Sequence, residues 1–227
     1  MNKVLITIWV IVFQVITPFL GHIKAQTNPD TPVGFGYKIM WIAVKTDNQE
    51  LVAQTIGLKN TKPSNWKDGI EKAYEDAIFI TPQIDNWTLI VGMGLPTGDN
   101  KESINQASDL LNRLSKQFGE AQFFCTHRVV EYHCWIKSTN GQIDRIYSYL
   151  GERGENIIIK GEPTEIEKNH KLVNTFSEEA KEDDYFNHVD LVFPDEQLVM
   201  TIAGNWSIDP TLLDNRKDIK GLGLISK

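Results

Sequence analysis

Cysteine is scarce. Cys125 and Cys134 are the only two in 227 residues, too few for a disulfide scaffold. No cysteine directly follows the N-terminal apolar run, which excludes a bacterial lipid anchor there. Beyond that run, no stretch is long and apolar enough to cross a bilayer. Basic residues are in deficit, 23 Lys and Arg against 30 Asp and Glu, for a formal net charge of −7. An acidic chain of this kind repels phosphate backbones, so nucleic acid is not an expected partner. There is no serine nucleophile elbow and no Cys–His pair at a helix start. Gly34-Phe35-Gly36 lacks a third glycine and precedes a strand, so it is no phosphate loop. The chain shows no repeat unit and no low-complexity tract.

What the N-terminus does have is Lys3 followed by Val4 to Gly21, apolar apart from Gln14 and two threonines. Pro18 lies near the end of the run, and Ala25 offers the small residue that a signal peptidase wants. This layout predicts a secretory signal peptide over residues 1–25, cleaved after Ala25, and a periplasmic or secreted protein. About 18 apolar residues is also near the minimum for a spanning helix, so an uncleaved N-terminal membrane anchor is the alternative. Loss of residues 1–25 removes Lys3 and Lys24 and no acid, leaving the mature chain more acidic still.

Residues 26–36 read as a polar linker. Tyr37 to Thr46 is apolar on both faces, the pattern of a central strand. Asp47 and Ser64 can cap two helical stretches, the first closed by Gly57. Short strands follow at 77–81 and 87–92. The strongest helix runs from Lys101 to Phe118, with Asp99 as its cap and Gly119 at its end. Residues 122–138 read as one long strand, turned back at Asn140-Gly141 into a return strand over 142–150, with a further strand at 156–160. In that register Lys137 lies opposite Asp144, Trp135 opposite Ile146 and His133 opposite Ser148.

The order strand, helix, strand, strand, helix, strand predicts an α+β fold of the ferredoxin-like, split βαβ kind. The expected sheet is antiparallel with helices on one face, extended by the β-hairpin. The core spans 37–162, and residues 163–227 form a C-terminal helical annex packed on it. Within the annex, 164–181 reads as a charged helix, 195–203 as a short apolar-faced helix, and Asp209-Pro210 as the start of another turn.

CTHRVVEYHCW, residues 125–135, is the chain's densest run of reactive side chains. As one strand it puts Cys125, His127, Glu131, His133 and Trp135 on a single face. A Cys125–Cys134 disulfide would then have to span about 30 Å at ~3.3 Å per residue, and Val129-Val130 is a poor turn former. His127 and His133 stand about 20 Å apart on such a strand, too far to share a metal, so no metal or cofactor is expected. Glu131 and His133 could share an acid–base site, with His127 the remaining candidate. The leading interpretation is structural: a half-buried strand whose polar groups pair across the sheet. The acidic run from Glu178 to Asp184 lacks a calcium loop with a sharp glycine turn and reads as a solvated face.

The stretches FGYKIMWIAVKT, ITPQIDNWTLIVG, FGEAQFFCTHRVVEYHCWIKSTNG, YSYLGERGEN and NWSIDPTLL resemble a family of uncharacterised bacterial proteins. The resemblance covers nearly everything after the signal segment. It implies a bacterial source and one coherent domain, and it carries over no activity, ligand or catalytic residue. Many members lack an export signal, so this N-terminus is a departure. The expectation is an exported, non-catalytic binding or interaction domain of the envelope, with an unknown protein or small ligand as partner. The alternative is a small hydrolase or lyase using Glu131 and His133 on the 122–138 strand, so whether the protein is an enzyme stays open.

Overall fold

The computed structural model describes residues 30–226. The expected signal peptide and its cleavage site lie outside the described residues. In chain order the elements are β1 (Ile39–Val44), α1 (Gln49–Ile56), β2 (Lys62–Ser64), α2 (Trp66–Ala73), β3 (Ile78–Ile80), β4 (Thr88–Val91), α3 (Lys101–Phe118) and β5 (Glu120–His127). Then come β6 (Tyr132–Thr139), β7 (Gln142–Leu150), β8 (Glu155–Lys160), β9 (Lys171–Leu172), β10 (Leu191–Val192), α4 (Glu196–Trp206) and β11 (Gly223–Ser226). The fold is mixed α+β. Nine strands make one antiparallel sheet, ordered β2-β11-β3-β4-β1-β5-β6-β7-β8. β9 and β10 form a separate parallel pair.

β1 is buried along its whole length, as its two apolar faces require. Helices cover both faces of the sheet, not one. α1 and α3 lie on the face that carries Met40, Ile42, Phe123, Cys125 and Ile136; on the other face, which carries Trp41, Phe124, Trp135 and Tyr147, α2 packs against β3 and β11 and α4 against β5 and β6. The cause lies in the central strands. With one face bare, the Trp41–Phe124 stack (5.2 Å between centroids) would stand in water. The helix caps also fall one residue later than the sequence suggests. Asn48, Asn65 and Asn100, rather than Asp47, Ser64 and Asp99, accept the N–H groups of Leu51, Asp68 and Ser103.

The long strand over 122–138 is two strands. β5 ends at His127, residues 128–131 turn, and β6 returns beside it. Val129 and Val130 are poor turn residues, but tertiary ties override that preference. Gly151 N–H donates to Glu131 O at 2.9 Å and Glu152 N–H to Val130 O at 3.2 Å. Glu131 adopts φ +49°, an uncommon left-handed conformation for a residue with a side chain.

β6 and β7 meet at Asn140-Gly141, with φ +50° and +84°, the signs of a type I′ turn. Beyond it the register departs from the simple count, because a bulge between Lys137 and Ser138 leaves Asp144 without a partner. Lys137 therefore faces Arg145, Trp135 faces Tyr147 and His133 faces Tyr149. The Ser138 hydroxyl is engaged by α3, lying 2.7 Å from Ser115 Oγ and donating to Asn112 Oδ1 at 2.7 Å. Lys137 turns away from Asp144 and pairs with Glu120 at 2.8 Å.

Past residue 163 the chain is less helical than expected. The stretch 164–181 contains two short 3-10 turns and β9 in place of a charged helix. It has no apolar stripe to bury, and Glu167 is drawn into the interior, where it is 1% exposed. There the carboxylate accepts from Trp135 Nε1, Arg145 Nε and Nη2, and Thr164 N–H and Oγ1, all within 2.9 Å. β11 then enters the main sheet between β2 and β3, so the C-terminal segment completes the core as well as covering it. The described part of the expected linker, 30–36, is also packed. Trp66 N–H donates to Asp30 at 3.0 Å and Gly34 N–H to Asp214 at 2.8 Å.

Candidate functional site

The β5–β6 turn redistributes the reactive side chains. Opposite residues of an antiparallel pair share a face, so Cys125 and Cys134 point together to the α3 side. Thr126 and His133 point together to the α4 side. His127 alternates with Thr126 and so follows Cys125, away from His133. Its Nδ1 is buried and has no hydrogen-bond partner among the described residues, and it takes no part in the site below.

Glu131 and His133 do come together. They line a cleft of about 640 Å³ with Tyr37, Arg128, Phe193, Asp195 and Glu196. Four parts of the chain supply it: the approach to β1, the β5–β6 turn, the start of β6, and the N-terminus of α4 with the residues just before it. His133 is only 3% exposed. Its Nδ1 lies 3.0 Å from Thr126 Oγ1, while Nε2 makes no hydrogen bond among the described residues. Burial pushes its pKa down to about 4, against a smaller upward pull from Asp195. The imidazole is neutral at physiological pH.

Asp195 caps α4 by accepting from Leu198 N–H at 2.7 Å. Glu196 is the first helical residue, and its Oε1 is buried without a hydrogen-bond partner among the described residues. Its Oε2 lies 4.0 Å from Arg128 Nη1, a contact whose arginine side is largely exposed. The Glu131 side chain lies over Gly151. A Cβ there would fall 2.5 Å from Glu131 Cβ, so glycine allows this approach. Tyr37 and Phe193 are 45% and 44% exposed at the rim, and Phe193 is held edge-on against Tyr149 at 6.0 Å. The cleft thus gathers three carboxylates, one guanidinium, a neutral imidazole and two partly exposed aromatic rings.

The other large hollow, about 590 Å³ near Ile56, Leu110 and Arg113, holds no histidine. Glu182, Asp184 and His188 bring ligand atoms within 4.8 Å of one another. Glu182 and Asp184 lie in the acidic run already noted, and His188 Nε2, four positions beyond its end, is 3.8 Å from each carboxylate. Among the described residues no fourth ligand group joins this cluster, and exposed acidic groups of this kind ordinarily belong to a solvated face. Among the described residues no helix is long and apolar enough to cross a membrane.

The sequence named Glu131 and His133 but missed Tyr37, Phe193, Asp195 and Glu196. Asp195 was legible only as the start of a helix; nothing in the pattern placed that helix beside the β5–β6 turn. No protein-family model, curated protein or solved structure matches the chain significantly.

Proposed function

We propose that the protein is a non-catalytic binding domain whose cleft takes a cationic amine or guanidinium group. One observation carries this: a buried carboxylate oxygen, Glu196 Oε1, lacks a donor among the described residues, in a cleft that also holds Glu131 and Asp195. A buried acceptor left unmade costs about 1–3 kcal/mol, which a ligand donor would recover. Tyr37 and Phe193, partly exposed at the rim, add a second attraction, worth about 0.5–1 kcal/mol for a cation placed over an aromatic ring. Arg128 provides the only opposing charge in the lining, and the α4 N-terminus is already capped by Asp195.

On the N-terminal pattern we place this domain in the envelope or outside the cell. The strand order β3-β4-β1-β5, with helices between β1 and β3 and between β4 and β5, supports a ferredoxin-like centre elaborated on both sides. Acid–base chemistry on Glu131 and His133 is the second reading, favoured by their shared cleft. An imidazole held near pKa 4 is a weak proton acceptor at neutral pH, which places this reading behind binding.

Amide NMR with matched probes tests the proposal. Butylammonium should shift the resonances of Glu131, His133 and Glu196, and butyrate at equal ionic strength should leave them in place. The opposite pattern would overturn it.

A further inference from the structure

We propose that Cys125 and Cys134 are a redox pair, which a disulfide oxidant closes into a cross-strand bond that pins the β5–β6 turn. The two residues are direct Cα partners across β5 and β6, and both side chains are buried on the same face. Asn140 N–H donates to Gly119 O at 2.9 Å, one step beyond the Glu120–Thr139 pair. Counting in twos from there, Cys125 and Cys134 occupy a hydrogen-bonded position. Such pairs hold their Cα atoms about 5.5 Å apart, inside the roughly 4.4–6.8 Å span of disulfides. The turn thus provides the proximity that one continuous strand would deny.

The chemistry is thiol–disulfide exchange with an oxidant such as glutathione disulfide. One cysteine thiolate attacks the oxidant's S–S bond, releasing one thiol and forming a mixed disulfide. The second thiolate attacks that bond and releases the other thiol. Two S–H bonds are lost, one S–S bond forms in the protein, and the two electrons reduce the oxidant's disulfide to two thiols. The two protons lost from the protein's thiols end on those product thiols.

Burial affects when this can happen. It raises the Cys125 thiol well above its usual pKa, with Cys134 a further cause, and raises Cys134 to about 12. In the folded, reduced chain both groups are inert thiols. Bond formation therefore belongs to folding, before the thiols are covered. The bond would enclose Thr126, Arg128, Glu131 and His133, so the redox state of the pair would set the rigidity of the turn that bears part of the cleft.

The full chain is refolded from denaturant either with glutathione disulfide or with excess reductant, then alkylated under denaturing conditions and digested with trypsin. Cleavage after Lys116, Arg128 and Lys137 puts the two cysteines on different peptides, 117–128 and 129–137. The oxidised sample should lose both alkylatable thiols and yield these peptides joined, separable by reduction. Chain folded in reductant and then given the same oxidant should keep its thiols for far longer. Two fully alkylatable cysteines after oxidative refolding would overturn the proposal, as would bonds only between chains. A Cys125→Ser/Cys134→Ser chain that refolds confirms that any missing linked peptide is not a folding failure.

Discussion

Thr126 Oγ1 and His133 Nδ1 lie 3.0 Å apart across β5 and β6, tying the imidazole at one nitrogen. Because burial holds His133 near pKa 4 against an ordinary 6.5, the unfolded chain takes up this proton first as pH falls. The sign follows. Stability linked to His133 is full above about pH 6.5, is lost between 6.5 and 4, and does not fall further below 4. The loss is on the order of 3 kcal/mol at about 1.4 kcal/mol per pKa unit. Chemical melts of wild type and His133→Asn across this range check it. The variant should show a shallower fall, and parallel curves would count against a buried neutral imidazole.

Glu167→Gln should destabilise the fold by about 3–5 kcal/mol, because it strips a buried Arg145 of its charge partner. Arg145→Met combined with Glu167→Gln should recover part of that loss. Urea melts of the two chains measure it; a double variant no better than the single would mean that the carboxylate acts through Thr164 and Trp135 alone.

Gly151→Ala places a methyl group against Glu131 and should cost about 1–3 kcal/mol, the usual range for overpacking. Gly154→Ala is the comparison: φ there is positive, yet an added Cβ meets nothing within 4 Å. Thermal melts separate the effects. Only the first should also perturb the Glu131 and His133 amide signals, and equal spectra would show that the turn does not depend on this contact.

Export makes a separate expectation. N-terminal sequencing of protein recovered from an envelope fraction should begin at Gln26. A chain that still begins at Met1 would favour an N-terminal anchor.

Much of the core was legible. The double-faced β1, the stripe of α3 ending at Gly119 and the Asn140-Gly141 turn all rest on local pattern, and local pattern is what a sequence carries. What escaped notice depended on contacts distant in sequence. Val129-Val130 turns because Gly151 and Glu152 hold it, and the Lys137–Ser138 bulge goes with a serine engaged by α3. The helix expected over 164–181 is replaced by a segment organised around Glu167 and its partner Arg145. The candidate site divided in the same way. Glu131 and His133 stood out within the chain's densest run of reactive side chains, but carboxylates facing them come from the start of α4, more than sixty positions later.

Charge recognition in the cleft is the central claim, and calorimetric titration tests it most directly. The probe is a short lysine peptide blocked at both ends, with a glutamate peptide of equal length as its counterpart. Wild type should bind the lysine peptide, more weakly as salt is raised, and should not bind the glutamate peptide. Glu131→Gln/Glu196→Gln should weaken the lysine peptide about tenfold or more, equivalent to about 1.4 kcal/mol, while melting near the wild-type temperature. Equal affinity of the double variant and wild type for the lysine peptide, or a wild-type preference for the glutamate peptide, would contradict the account.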